Sequence, residues 1–186
     1  MLIAIADFCR PGSDKISGAI TFTQTNEKFV RVDIELSGVP YGVHGMHVHE
    51  KPINFKLKND WCMQAKGHFN GPVKLWGLKT PGGTLHGSHM FKTERHIGDL
   101  CNNIISDDSG IVDVSYNDHL ISLIPKHPNC IVGRSVIIHD DGDDEGMYIR
   151  DNEMSIYDYE MSIQSKITGN SGSRIACANI ISLSGI

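Results

Sequence analysis

The sequence reads as an all-β chain folded into an antiparallel sandwich or flattened barrel. Three observations carry that expectation: apolar and polar residues alternate with period two, turn signals punctuate the apolar runs, and helical periodicity is absent over any useful length. The alternation is cleanest from Phe29 to Leu36, where Val30, Val32, Ile34 and Leu36 fall on one face and Arg31, Asp33 and Glu35 on the other. Successive strand residues point to opposite faces, so one face of this segment is buried and the other wet. Ser109-Gly110, Asp141-Gly142 and Pro81-Gly82-Gly83 supply turns, because glycine reaches backbone angles closed to other residues and proline presets one of them.

Met1 to Ala6 is the first expected strand. It is apolar but brief, lacks a basic leader and runs into Asp7 and Cys9-Arg10-Pro11-Gly12, so it does not read as a signal peptide. Ile16 to Gln24 forms a hairpin with Phe29 to Leu36. Further strands are expected near His44 to Glu50, Asp99 to Ile105, Gly110 to Tyr116, Ser135 to His139 and Arg174 to Ile181. Three long irregular stretches interrupt them: Lys51 to Gly67, Asn70 to Phe91 and Asp140 to Ser173. Long loops in a compact domain are commonly functional.

With 186 residues and 40% apolar content, residues 1–186 are expected to form a single domain with a sizeable core. A net charge of −5 without a basic stripe argues against a nucleic-acid partner. No apolar run approaches the length of a membrane span, so a soluble, cytoplasmic protein without a membrane partner is expected. The five cysteines, Cys9, Cys62, Cys101, Cys130 and Cys177, contain no Cys-x-x-Cys, which argues against a zinc ribbon or a thioredoxin-type site. Inside a cell their default state is the free thiol.

The chemistry gathers around Gly45-Met46-His47-Val48-His49-Glu50. On a strand, side chains two apart share a face, so His47 and His49 form a two-nitrogen clamp of the kind that suits copper or zinc. More candidate ligands follow: His68 in Gly67-His68-Phe69-Asn70, His86 before Gly87, His96 and Asp99 in Arg95-His96-Ile97-Gly98-Asp99, and His139 after Ile137-Ile138.

In these residues the chain resembles the Cu/Zn superoxide dismutases, over a span from about Ile16 to Ile181. The motifs that carry the resemblance are Gly-Met-His-Val-His-Glu, Gly-His-Phe-Asn, Arg-His-Ile-Gly-Asp-Leu, Val-Gly-Arg-Ser-Val-Ile-Ile-His and Gly-Asn-Ser-Gly-Ser-Arg-Ile-Ala-Cys, in that order. It implies an eight-stranded antiparallel Greek-key sandwich or flattened barrel whose long loops are the disulfide, metal-binding and electrostatic loops. It implies one copper per chain on His47, His49, His68 and His139, four nitrogens that suit Cu(II). It also implies one zinc per chain on His68, His86, His96 and Asp99, a closed four-coordinate set typical of structural zinc. His68 belongs to both sets and would bridge the metals.

Further roles follow from the resemblance. Asp143 matches the aspartate that links a copper-bound to a zinc-bound histidine, Cys62 and Cys177 match the intrasubunit disulfide, and His44 matches a structural histidine. Arg174 matches the arginine that anchors superoxide, and Thr168 lines its channel. The family commonly has a lysine just before that threonine; here Ile167 stands there and Lys166 lies one residue earlier. The family spacing of the second zinc histidine falls between His86 and His89. The glycine after His86 favours it, with His89 left to solvent.

The implied activity is dismutation of superoxide to dioxygen and hydrogen peroxide, with Arg174 and His68 catalytic and His68 carrying a proton. The alternative is a non-catalytic relative, a metal-binding or decoy protein, although such relatives typically lose a copper ligand or the arginine. A zinc hydrolase would need an open zinc position and a placed base, and no His-Glu-x-x-His exists. A homodimer is expected through Ile131-Val132-Gly133 and Ile180-Ile181, although Lys51-Pro52-Ile53 departs from the family's usual residues. The route of copper, by a copper chaperone or unaided, is left open. The additions from about Lys74 to Thr84 and Met147 to Met161 contain Leu75, Trp76, Tyr148, Tyr157 and Tyr159. They suggest that the insertions pack on something, and point to a divergent lineage such as a large DNA virus, with host cytoplasm or virion as the location.

Overall fold

The alternation seen in the sequence is realised in β3, Val30–Ser37, where Val30, Val32, Ile34 and Leu36 are buried and Arg31 and Glu35 exposed. The computed structural model describes residues 1–9, 12–57, 60–71, 74–75, 78–79, 85–90, 95–148 and 156–183. The other strands are β1 Leu2–Asp7, β2 Ser17–Gln24, β4 Gly42–His49, the short β5 Lys74–Leu75 and β6 Leu78–Lys79, β7 Asn103–Ser106, β8 Val112–Asp118, β9 Ser135–His139 and β10 Arg174–Ser182. Eight of them form one antiparallel sheet in the order β7-β4-β9-β10-β1-β2-β3-β8, and β5 pairs only with β6. The edge strands β7 and β8 lie side by side, so the sheet is a nearly closed barrel. Its interior is packed with Phe8, Ile20, Phe22, Ile34, Met46 and Leu100, all fully buried.

The structure departs from the sequence expectation in four places, one of them the short β5–β6 pair within the stretch Asn70 to Phe91. The strand expected from Asp99 begins only at Asn103: the Asp99 carboxylate accepts from the His96 N–H at 2.8 Å, and Asn102 turns through a left-handed φ of 59°. A residue in that conformation breaks a strand, and asparagine tolerates it best. Lys51 to Gly67 contains a short 3-10 helix, Trp61–Ala65. Asp140 to Ser173 contains an α-helix, α1 Ile156–Thr168, where no helix was expected. Among its described side chains the buried one is Ser165, whose hydroxyl donates to Asp144 Oδ1 at 2.8 Å, while Tyr159, Ile163 and Ile167 are exposed. The side chains of Leu75, Trp76 and Tyr157 lie outside the described residues.

Strands β4 and β9 are buried on both faces from Gly45 to His49 and from Ser135 to His139. Met46, Val48, Val136 and Ile138 face the barrel interior. The register places His47 opposite Ile137, Arg174 opposite His139 and Cys177 opposite Ile137. Opposed residues share a face, so His47, His49, His139, Arg174 and Cys177 all stand on the outside of the barrel. That outer face is roofed by loops. Ile137 packs there with Ile53, Ala65 and Cys177 under the disulfide loop.

Cys62 and Cys177 form the expected disulfide, with Cα atoms 5.5 Å apart at a sequence separation of 115. Cys9, Cys101 and Cys130 are free thiols. The loop is held at a second point by Asn179, whose amide accepts from Ile53 N–H at 2.7 Å and donates to Ile53 C=O at 2.9 Å. Closing so long a segment restricts the unfolded chain by about 4–5 kcal/mol at most in the loop-entropy picture. Cys62→Ser should therefore lower the melting temperature under oxidising conditions, by on the order of 10 °C. A melting curve matching the parent in calorimetry would show that the bond contributes nothing.

Candidate metal centre

Each ligand candidate is carried to one place by a different element. His47 and His49 come from β4 and His139 from the end of β9. His68 arrives by bridging to His49, with Phe69 N–H bonded to Val48 C=O at 2.8 Å. His96 and Asp99 follow through Gly98, whose N–H meets Phe69 C=O at 2.7 Å and whose C=O accepts from Val48 N–H at 2.9 Å. A Cβ on Gly98 would lie 2.1 Å from the Val48 oxygen, so only glycine lets these segments approach so closely. His86 is fixed by its N–H on Lys166 C=O at 3.0 Å.

Two overlapping groups result. Ring nitrogens of His47, His49, His68 and His139 lie within 4.8 Å of one another, as do ligand atoms of His68, His86, His96 and Asp99. All are buried. His86 joins the second group; the exposed His89 stays outside it and contacts Asn102 instead.

Hydrogen bonding decides which nitrogen of each ring faces inward. His49 Nδ1 donates to Lys66 C=O at 2.9 Å and His139 Nδ1 to Gly172 C=O at 3.3 Å, so in both rings Nε2 keeps its lone pair. Those two Nε2 atoms face each other at 3.4 Å, an arrangement that repels unless a cation stands near both. His47 and His86 turn Nε2 to Asp143, at 2.6 Å to Oδ2 and 2.7 Å to Oδ1. His68 places Nδ1 2.9 Å from Asp99 Oδ1.

What remains is a set of buried atoms without hydrogen-bond partners: His47 Nδ1, His68 Nε2, His86 Nδ1 and His96 Nδ1. Buried polar atoms are rarely left so, because each forfeits its hydration. Asp99 Oδ1 lies 2.9, 3.0 and 3.3 Å from Nδ1 of His68, His86 and His96, while Oδ2 accepts from the N–H groups of His96 and Gly87. A tetrahedral ion with bonds of about 2.0–2.1 Å spaces its ligand atoms about 3.3 Å apart. The donor set fits zinc in number, type and spacing. The other group offers four imidazole nitrogens, which fits copper.

The electrostatics agree with a site built for cations. Burial, then the charge of His47, holds His68 well below the ordinary histidine range. Burial, then the charges of His68 and Arg174, does the same to His49, and burial with His47 lowers His139 to about 3. These rings stay unprotonated and free to ligate. For Asp99, burial acts upward, but the imidazoles of His68, His86 and His96 gathered at its Oδ1 outweigh it and hold the carboxylate well below its usual range. Burial likewise opposes the charged form of His86, yet Asp143 and Asp99 raise it to about 9.

Arg174 is half-buried beside this group. Its guanidinium donates to Cys62 C=O at 2.7 Å and Lys66 C=O at 2.5 Å, which ties it to the disulfide loop. The rings of His44 reach the carbonyls of His139 and Pro40, both at 2.9 Å, and so brace the end of β9. Lys166 donates its ammonium to Gly146 C=O, and the Thr168 hydroxyl turns back to Gln164 C=O at 3.3 Å. Asp143 is the member of the acidic run that reaches the histidines; Asp140 and Asp141 are exposed.

Asn102 and Gly169 are among the residues missed in the sequence. Asn102 donates to Asp143 Oδ2 at 2.9 Å and to Gly87 C=O at 3.2 Å, and accepts from His89 N–H at 2.6 Å, so one amide joins three loops. Gly169, at φ 67°, lies against the Asp143–His86 hydrogen bond, and a Cβ there would sit 2.0 Å from Asp143 Oδ1 and 2.5 Å from His86 Nε2. Gly169 opens the Gly-Asn-Ser-Gly-Ser-Arg-Ile-Ala-Cys motif, but its role, like that of Asn102, rests on a left-handed φ that is visible in the structure alone.

Comparison with known proteins gives the same direction. The family model for copper/zinc superoxide dismutase matches residues 16–180. The extracellular superoxide dismutase [Cu-Zn] of Caenorhabditis elegans is 38% identical over 166 residues, which cover 89% of this chain and 61% of the nematode protein. The superoxide dismutase [Cu-Zn] of Paramecium bursaria Chlorella virus 1 is 35% identical over 167 residues, 89% of this chain and 72% of the viral one. The crystal structure of the clock protein EA4 is similar with a TM-score of 0.73 at 32% identity, covering 96% of this chain and 92% of that one. The barrel, the two histidine groups on its outer face and the family match over nearly the whole chain place this protein in the copper/zinc superoxide dismutase family.

Proposed function

We propose that this chain dismutes superoxide, two anions and two protons giving dioxygen and hydrogen peroxide. In this reading His47, His49, His68 and His139 hold copper, and His68, His86, His96 and Asp99 hold zinc. The observation that carries it is His68, a fully buried ring with Nδ1 on the zinc side at Asp99 and an unpartnered Nε2 on the copper side. Bound copper supplies the redox couple that accepts an electron from one superoxide and returns it to the next.

The chain's own residues supply position, charge and a proton. Two carbonyls hold the Arg174 guanidinium in place, and with five N–H donors it has others left to bind an anion. His68 Nε2 is the atom that takes up and gives back a proton, since Nδ1 faces the zinc set. Asp143 fixes the rings of His47 and His86 in one orientation. Lys166 and Thr168 belong to the approach of the anion, Lys166 as a steering charge. A non-catalytic metal-binding role has no observation in its favour. Copper content measured together with superoxide turnover separates the two readings.

Replacing Arg174 by Ile should leave copper and zinc bound while superoxide turnover falls roughly 10-fold or more; turnover at the parental rate would remove Arg174 from the site. For zinc, His86→Ala should lose the metal and His89→Ala should keep it in elemental analysis. The reverse pattern would overturn the assignment.

A homodimer in the cytoplasm is also proposed. Ile181 and Leu183, each 60% exposed at the end of β10, offer apolar surface for a second copy, and the three free thiols suit a reducing compartment. Protein recovered from the soluble cytoplasmic fraction and showing a dimer mass in light scattering at micromolar concentration is the expected result. Recovery from a secreted fraction rejects the location, and a monomer mass rejects the dimer.

A further inference from the structure

Asn103 opens β7, and its side chain pairs with the main chain of a distant loop residue. Its Oδ1 accepts from Asp143 N–H at 2.7 Å and its Nδ2 donates to Asp143 C=O at 2.9 Å. These are the two bonds that a facing strand residue would make. Among the described residues no strand is available there: the chain has left β9 at His139 and runs through turns and bends as far as Tyr148. The buried peptide groups of Asp143 still require partners, and one asparagine amide satisfies both.

The consequence lies in what Asp143 does. Its Oδ2 receives His47 Nε2 at 2.6 Å and Asn102 Nδ2 at 2.9 Å, and its Oδ1 receives His86 Nε2 at 2.7 Å and Glu145 N–H at 2.6 Å. The carboxylate is therefore placed by its hydrogen bonds, but they fix its position only if the backbone beneath it is fixed. Ligand-orienting groups must be held within about 0.5 Å of their working geometry. Asn103 ties that backbone to the barrel wall, where Asn103 itself is registered against Gly45, two residues from His47.

We infer that Asn103 is a positioning residue that sets Asp143 between His47 and His86 before metal arrives, so that zinc affinity depends on an amide touching neither metal set. The inference rests on the proposed assignment of His86 to zinc. A sequence reading passes over Asn103 because its role is exercised on a backbone 40 residues away.

The test uses the full chain stripped of metal and reloaded with zinc alone, with affinity read by competition against a chromophoric chelator. Asn103→Val should weaken zinc roughly 10-fold and Asp143→Ala roughly 10- to 100-fold. The double variant should bind no more weakly than Asp143→Ala, because Asn103 acts only through Asp143. With copper added, the paramagnetic resonance spectrum of Asn103→Val should shift in the same sense as that of Asp143→Ala. Zinc affinity at the parental value in Asn103→Val, or losses that multiply in the double variant, would overturn the inference. Should the valine variant fail to fold, Asn103→Asp keeps the shape and the acceptor but loses the donor. It is expected to weaken zinc measurably, and parental affinity there is equally decisive. A His86→Ala control distinguishes the failures: if it keeps zinc the ligand assignment is wrong, whereas if it loses zinc and Asn103→Val does not, Asn103 has no positioning role.

Discussion

Six imidazoles gathered under a loop roof would not stay buried without the two carboxylates that organise them, Asp99 and Asp143. Each carboxylate settles which ring nitrogen turns inward for the histidines it meets, His47, His68, His86 and His96, while carbonyls of Lys66 and Gly172 do so for His49 and His139. Asp143 takes Nε2 of His47 and His86, so their Nδ1 atoms are left for metal. Asp99 draws Nδ1 of His68, His86 and His96 to one oxygen and anchors the other on backbone amides. Burying charge is costly unless it is paired, and the low position of both carboxylates in the pH scale reflects that pairing against the opposing effect of burial.

The barrel contributes rigidity and the loops contribute enclosure. Because β4 and β9 run side by side, a strict two-residue period is enough to bring His47, His49 and His139 to one outer face without strain. The roof is then tied down at separate points: the disulfide at Cys177, the Asn179 amide on Ile53, and Arg174 on the carbonyls of Cys62 and Lys66. Arg174 thus joins structure to chemistry. The contacts that close the disulfide loop also hold the cation beside the histidines, so loosening the loop disturbs the anion site as well.

Local pattern carried much of this into the sequence. The alternation of Val30, Val32, Ile34 and Leu36 depends only on period two, and the His47/His49 pair only on its spacing, so both are legible. The ligand groups needed more, because His68, His86, His96 and His139 are brought together by folding, and motif resemblance supplied that long-range information. Helix α1 was not read from the sequence, although Tyr159, Ile163 and Ile167 recur at helical spacing; all three are exposed, and among the described side chains Ser165 is the buried one. The turn from Asp99 to Asn102 was read as strand because its apolar Leu100 resembles a strand residue, while the features that bend it are a side-chain bond and a left-handed φ. Asn102 and Asn103 act on Asp143 across 41 and 40 residues, a separation at which no local pattern exists.

A chain of net charge −5 faces an apparent difficulty in attracting an anion. Distance resolves it. In physiological salt, exposed charges are screened beyond about 8 Å, so exposed carboxylates on the far surface, such as Glu35 on β3, contribute little at the metal centre. Of the nearby acids, Asp99 and Asp143 are buried and enclosed by histidines, Asp144 is engaged by Ser165 and Asn170, and the exposed Asp140 and Asp141 are screened by solvent. The half-buried guanidinium of Arg174 is less screened than any surface charge, and its cation already depresses the protonation of His49 and His139. An arriving anion therefore meets the local field of Arg174 and the metal centre, and the overall charge has more to do with solubility than with the reaction.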